Sequence, residues 1–272
     1  MHSTFGFNGR LETHQMNVYH LEDRANGIIM HWFHYVIAGL YELSHLPKPV
    51  YFHYKDSGEA FQTETLELIK PDYIFVKDIS ECTVIPHHGA PIQGAYAVPS
   101  PYYGFVRDLI LTRNNLESPV EPFRRIYVSR SRSHELNWCK GIKRRQLVNE
   151  GDILGLLQPI GFEVIFLEDH SLVEKIRIFQ EAKVLITPSG GALAMCFFAN
   201  RKSTIVEICT TATGEDMYDH VCKELSIPTA RYTNVRTIDG NGHPMTPSFV
   251  GQYNIVIHDI PHFMRFVHSL IT

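Results

Sequence analysis

The 272-residue sequence predicts an α/β protein built on parallel sheets, and three observations predict it. Short apolar runs such as "RRIYVS" (124–129), "FEVIFL" (162–167), "VLIT" (184–187) and "STIVEI" (203–208) alternate with segments whose apolar residues recur at helical spacing. The runs are continuously apolar, as strands are when helices cover both faces of a sheet. Strand, helix, strand, helix in that order calls for crossover connections, which make neighbouring strands parallel.

Each element follows from its own residues. "RRQLVNEGDILGLLQPIG" (144–161) carries Leu147, Ile153, Leu154, Leu156 and Leu157 roughly at helical intervals and stops at Pro159 and Gly161. "SLVEKIRIFQEAK" (171–183) opens on Ser171 with Glu174 three residues on, a capping box, and Leu172, Ile176, Phe179 and Ala182 line one face. "VLIT" leads into Pro188-Ser189-Gly190-Gly191 and a second helix-like apolar run. In the first half, 27–46 reads as a helix, "VYFHY" (50–54) as a strand, 59–69 as a helix, "DYIFV" (72–76) as a strand, and 81–104 as a strand followed by a loop. The polar, proline-bearing stretch "TRNNLESPVEP" (112–122) marks a boundary. That gives one α/β domain over 1–115 and a second over 124–258, with a last helix in 259–272 packing back on the first. Two such domains with parallel sheets facing a cleft offer a small-molecule site between them.

Composition narrows the class. The chain is 44% hydrophobic and 20% charged, with net charge −4, so it advertises no broad cationic surface and nucleic acid is not an expected partner. No apolar run reaches spanning length and the first residues lack the apolar core of a signal peptide. A protein without a membrane span, working in a cytoplasm (the host's, if the chain is virus-encoded), is the expectation. Cys82, Cys139, Cys196, Cys209 and Cys222 are scattered and form no Cys-x-x-Cys pair, which points to a reducing compartment. Among 16 histidines, His31 and His34 are three apart, but no acidic residue or cysteine completes a ligand set in sequence, so no metal site is expected.

Three constellations carry chemistry. Ser189, Gly190 and Gly191 sit where a strand hands over to a helix. Free amides and the positive end of a helix dipole favour phosphate there, and small residues let it approach; a tight turn with close helix–sheet packing is the other reading. Arg130 and Arg132 follow the 124–129 strand, and Lys143, Arg144 and Arg145 precede the next helix, so cations gather on the same rim; a solvated basic loop is the alternative. Glu207, inside "TIVEIC", is positioned either to accept from ribose hydroxyls or to face water at a strand end. The turn matches neither the nucleoside-triphosphate loop nor Gly-x-Gly-x-x-Gly, which argues against a nicotinamide-dependent oxidoreductase.

Taken in order, "YVSR" (127–130), "RRQLVNE" (144–150), "GFEVIFLED" (161–169), "LVEKIRIFQEAKVLITPSGGAL" (172–193) and "STIVEI" (203–208) resemble the core of glycosyltransferase family 61. Upstream, "NGIIMHW" (26–32) is similar to the start of that family's first-domain helix. The chain departs from the pattern at Ser189, where the family has His, at Met195, where it has Asn, and at Tyr35, where it has Asp. The resemblance implies a GT-B-like fold of two facing Rossmann-type domains. It also implies transfer of a sugar, xylose by preference, from a UDP-sugar to a hydroxyl of a glycan acceptor, with inversion and without a metal or a permanently bound cofactor. The diphosphate would lie at Ser189, Gly190 and Gly191 between Arg130 and Arg145, with Glu207 toward the ribose. The base that takes the acceptor proton would be His31, with Asp56 and Asp78, each just past a strand, and the His87-His88 loop as rivals. Tyr96, Tyr102 and Tyr103 are candidates to stack on a sugar ring or to pack internally. A non-catalytic nucleotide-sugar or glycan-binding protein on the same scaffold is the alternative function.

Overall fold

The computed structural model describes residues 16–21, 29–88, 100–118, 121–132, 146–210, 216–246 and 253–272. Tyr96, Cys139, Lys143, Arg144 and Arg145 lie outside these. The chain divides into two compact units, Met1–Pro91 and Ile92–Thr272. The division therefore falls ahead of the polar stretch 112–122 where a boundary was expected.

The first unit holds a four-stranded parallel sheet of β1 (Asn17–Leu21), β2 (Val50–His53), β3 (Tyr73–Phe75) and β4 (Thr83–His87), ordered β3-β2-β1-β4. The expected 27–46 helix begins as one α-helical turn, α1 (Ile29–His31), and widens into a π-helical stretch, Trp32–Ile37, whose six side chains are all buried. Trp32 explains the packing there: its Nε1 donates to Thr65 Oγ1 at 3.1 Å on α2 (Ala60–Ile69), and its ring lies 4.7 Å from Tyr54. An indole buried with its N–H satisfied contributes its full apolar area.

The second unit holds a five-stranded parallel sheet of β5 (Arg124–Val128), β6 (Phe162–Ile165), β7 (Ala182–Pro188), β8 (Thr204–Ile208) and β9 (Thr229–Tyr232). The expected strands at 124–129, 162–167, 184–187 and 203–208 all form. Helix α4 (Glu150–Leu157) ends through a turn of 3₁₀ helix at Gly161, whose φ of 88° is left-handed. Helix α5 (Leu172–Glu181) has the Ser171–Glu174 capping box. The architecture is α/β throughout, with parallel sheets flanked by helices, compatible with two Rossmann-type domains.

Three parts of the second unit were not anticipated. The segment taken as loop and linker contains α3 (Ser100–Arg107), which runs on π-helically as Asp108–Thr112. Arg107 ties α3 to the second unit by donating to the carbonyls of Phe197 at 3.0 Å and Ala199 at 2.8 Å. Helix α6 (Asp216–Glu224) leads into β9, and a small antiparallel pair, β10 (Arg236–Ile238) and β11 (Asn254–Val256), follows. The last helix, α7 (Ile260–Ile271), forms as expected, but where packing back on the first domain was expected its Phe263 and Val267 lie in the core of the second unit, with Tyr127, Ile186, Val206 and Tyr232.

Candidate active site at the carboxyl ends of the second sheet

In an open parallel sheet the ligand crevice lies at the strands' carboxyl ends, where strand order reverses. The second sheet runs β6-β5-β7-β8-β9, so the reversal falls between β5 and β7. Chain leaving β5 passes through Ser129 and Arg130; chain leaving β7 passes through Ser189 and Gly190. The two features the sequence pointed to are thereby neighbours.

The Ser189 N–H donates to the carbonyl of Ile208 at 2.9 Å, which anchors the turn to the end of β8. Gly190 has φ 149° and ψ −164°, a region only glycine occupies readily. Gly191 opens a 3₁₀ helix, Gly191–Phe198, in place of the expected α-helix. Among the described residues, the amides of Gly190, Gly191 and Ala192 donate to no backbone carbonyl, as an opening helical turn requires. The Arg130 guanidinium covers this turn: it donates to the Ser189 carbonyl, and a Cβ placed on Gly190 would overlap it. Glycine is needed here for its backbone angle, while a Cβ would oblige the flexible end of Arg130 to shift.

Beneath the turn lies a buried polar floor. Ser189 is 5% and Glu207 4% exposed. Glu207 is the parallel-register partner of Arg231, and Arg231 Nε reaches Glu207 Oε2 at 3.1 Å and Asp219 Oδ2 at 3.0 Å. Burial raises the Glu207 carboxyl above its ordinary range, while Ser189 and Arg231 draw it back down. Ser189 Oγ and Glu207 Oε1 are sealed from solvent, and neither completes a hydrogen bond of normal geometry. Such atoms are costly unless something fills their valence. Glu207 therefore does not face water at a strand end; one oxygen is committed to Arg231 and only Oε1 remains for a ligand. Burial and the nearby Glu207 push the Cys209 thiol up to about 12, so it stays a protonated thiol.

On the β5 side, the Glu150 carboxylate accepts from Tyr127 Oη at 2.8 Å and from Ser129 Oγ at 2.9 Å. The far wall comes from the end of the chain. Asn149 Nδ2 donates to the Ile257 carbonyl at 2.8 Å and its Oδ1 accepts the Ile257 N–H at 3.1 Å, while Asn254 Oδ1 accepts the Gln146 N–H at 3.2 Å. These contacts line a small, partly open pocket bounded by Arg130, Ser189, Thr210 and Gln146 with Tyr253 and Ile255. Its composition, a few polar groups on an apolar wall, is that of a small-molecule site.

The first-unit candidates are placed as follows. His31 is half-buried with its ring 5.2 Å from Tyr35. Asp56 and Asp78 are exposed and cap their own turns, Asp56 Oδ1 accepting the Gly58 N–H at 2.8 Å and Asp78 Oδ1 the Ser80 N–H at 3.0 Å. The bonds from Ser80 hold Asp78 below the usual carboxylate range, which makes it a weak proton acceptor. Burial lowers the His87 imidazole. Tyr102 and Tyr103 are core residues; Tyr103 meets Phe197 edge-on at 5.6 Å. Among the described residues, no three of His, Cys, Asp and Glu are grouped to hold a metal ion, and no helix is long and apolar enough to cross a membrane.

A family model for glycosyltransferase 61 matches residues 29–206, more than half of the chain. The chain belongs to glycosyltransferase family 61. No curated protein matches it. Membership makes it a glycosyltransferase, acting on a sugar donor and a glycan acceptor. The stretch matched to family 61 begins at α1 in the first unit and runs to β8, so it takes in the Arg130 and glycine-turn ends of the second sheet. Within that pattern, the family motif residues Asn149 and Glu150 gain a physical reason: one fastens the wall at Ile257, the other fastens the Ser129 end of β5. Where this glycosyltransferase departs from the family, Met195 and Tyr35 are both buried, and Ser189 sits over Glu207. Sequence reading missed Glu150, Arg231 and Asp219. Only Glu150 carried a signal, its place in "RRQLVNE"; Arg231 sits in a four-residue strand that no periodicity marks.

Proposed function

We propose that the protein transfers a sugar, xylose by preference, from a UDP-sugar to a hydroxyl of a glycan acceptor, inverting the anomeric centre and needing no metal ion. One observation supports the reading: three backbone amides that, among the described residues, donate to no backbone carbonyl, at a glycine turn covered by the Arg130 guanidinium. The leaving diphosphate gathers negative charge as the glycosidic bond breaks, and oriented amides with a guanidinium stabilise that charge without reorganising. In this reading the diphosphate displaces the Arg130 contact to Ser189 and accepts from Gly190, Gly191 and Arg130. Arg145, which lies outside the described residues, is the second cation of this reading. In this reading the ligand opens the floor, and Glu207 and Ser189, which lie against each other there, exchange that contact for hydroxyl groups of the ribose.

His31 takes the acceptor proton. Histidine is the residue type best suited to general-base work around neutral pH, whereas Asp56 and Asp78 are spent on their own turns. The expected result for Arg130→Ala and for Arg145→Ala is a loss in kcat of roughly 10²–10³ with UDP-sugar bound. For His31→Ala it is loss of turnover with UDP affinity kept, by isothermal calorimetry. Turnover unchanged by EDTA is expected as well. Near-normal kcat in both arginine variants would overturn the donor assignment; kcat retained in His31→Ala and abolished in Asp56→Ala or Asp78→Ala would reassign the base. A wild-type protein that binds UDP-sugars and neither transfers nor hydrolyses them would instead favour the non-catalytic binding role, in keeping with the departures at Ser189, Met195 and Tyr35.

A further inference from the structure

We propose that Glu150 is a positioning residue that holds Arg130 over the glycine turn, an inference that rests on the donor site proposed above. A carboxylate that only accepts fixes the direction of every hydroxyl bonded to it. Glu150 Oε1 accepts from the Tyr127 phenol at 2.8 Å and Oε2 from the Ser129 hydroxyl at 2.9 Å. With its one proton spent on Glu150, Ser129 Oγ becomes an acceptor, taking the Ser131 N–H at 3.2 Å and the Ser131 hydroxyl at 3.0 Å. Both residues flanking Arg130 are thus tied to one carboxylate.

The rest of the segment is held by backbone. The Ser129 N–H donates to the Ile165 carbonyl at 2.9 Å, and Thr187 Oγ1 donates to the Val128 carbonyl at 3.1 Å, which joins the ends of β5, β6 and β7. Glu150 is itself anchored, since it opens α4 directly after Asn149, whose amide grips both polar groups of Ile257. Burial, with Glu150 alongside, raises the Tyr127 phenol well above its ordinary range, so it remains a donor at any working pH. Glu150 touches no part of the proposed ligand; it acts through Ser129 on the direction in which Arg130 leaves the backbone.

The test is a double-mutant cycle on Glu150→Gln and Arg130→Ala, read by calorimetric affinity for UDP and for inorganic pyrophosphate, with thermal unfolding alongside. Gln keeps the shape but offers one acceptor oxygen for two donors. Glu150→Gln is expected to weaken both ligands roughly tenfold, the scale of a lost hydrogen-bond network, and to raise KM for the donor more than it lowers kcat. In the Arg130→Ala background the same change should alter affinity less than about twofold, because the group it positions is gone. The full tenfold effect in that background, or unchanged affinity in a folded Glu150→Gln protein, would overturn the proposal. If Glu150→Gln does not fold, Ser129→Ala replaces it in the cycle, since it cuts the link to Arg130 and leaves the Tyr127 bond in place. A wild-type protein that binds neither UDP nor pyrophosphate overturns the donor site itself, and this inference with it.

Discussion

Gly190→Ala is expected to abolish donor turnover while leaving the chain folded. Two costs fall on one methyl group. At φ 149° and ψ −164° an L-residue is strained by about 1–3 kcal/mol. The new Cβ would also overlap the Arg130 guanidinium, so the arginine must leave the turn or the turn must open. Either movement separates the cation from the amides of Gly190, Gly191 and Ala192. The expected loss in kcat/KM is at least the roughly 10²–10³ of removing one charge-stabilising donor. Steady-state kinetics with UDP-sugar, together with thermal unfolding, check it. Wild-type kinetics in a folded Gly190→Ala protein would mean that the charge is stabilised elsewhere.

Arg231→Ala is expected to lower stability by about 3 kcal/mol at neutral pH, because it leaves a buried carboxylate without its cation. The loss should shrink in acid, and its sign follows from Glu207. Burial already raises that carboxyl, and removing Arg231 raises it further. A folded state that holds a proton more tightly than the unfolded one is favoured below the ordinary carboxylate range. That advantage disappears as pH climbs through the raised folded value. The difference between variant and wild type should therefore grow from mild acid to neutrality, and Glu207→Gln should flatten it in both backgrounds. Thermal unfolding across that range decides the matter; a deficit of equal size at every pH would show that Glu207 is not its source. Asp219, the other acceptor of Arg231, is a third exposed and finds water instead.

Much of the second unit was legible because its signals are local. The Ser171–Glu174 box, the stop at Gly161 and four unbroken apolar strands each act within a few residues, and all appear in the structure. Helix α3 was not legible: "SPYYGFVR" mixes Pro, Gly and aromatic residues, and what stabilises it is Arg107 meeting carbonyls some 90 residues away. Strand β1 was missed because "NVYHL" carries two polar residues in five. At the site, Arg130 and the Ser-Gly-Gly turn were visible as residue types at strand ends, which chain order alone brings to one edge. The counter-residues were not. The Glu207–Arg231 pair depends on strand register, and Glu150 on a helix start facing the neighbouring strand's exit, neither of which a linear pattern encodes.

The 3₁₀ helix that begins at the glycine turn is secured at its other end as well. The carbonyls of Phe197 and Ala199 are taken by Arg107, and that of Phe198 by Gln180. A short rod bolted at its tail cannot slide back to make room for a bulkier head group. Accommodation of different sugars must then come from side chains around the rim, and an effort to broaden substrate range is better aimed at Gln146, Thr210 and Tyr253 than at the rod itself.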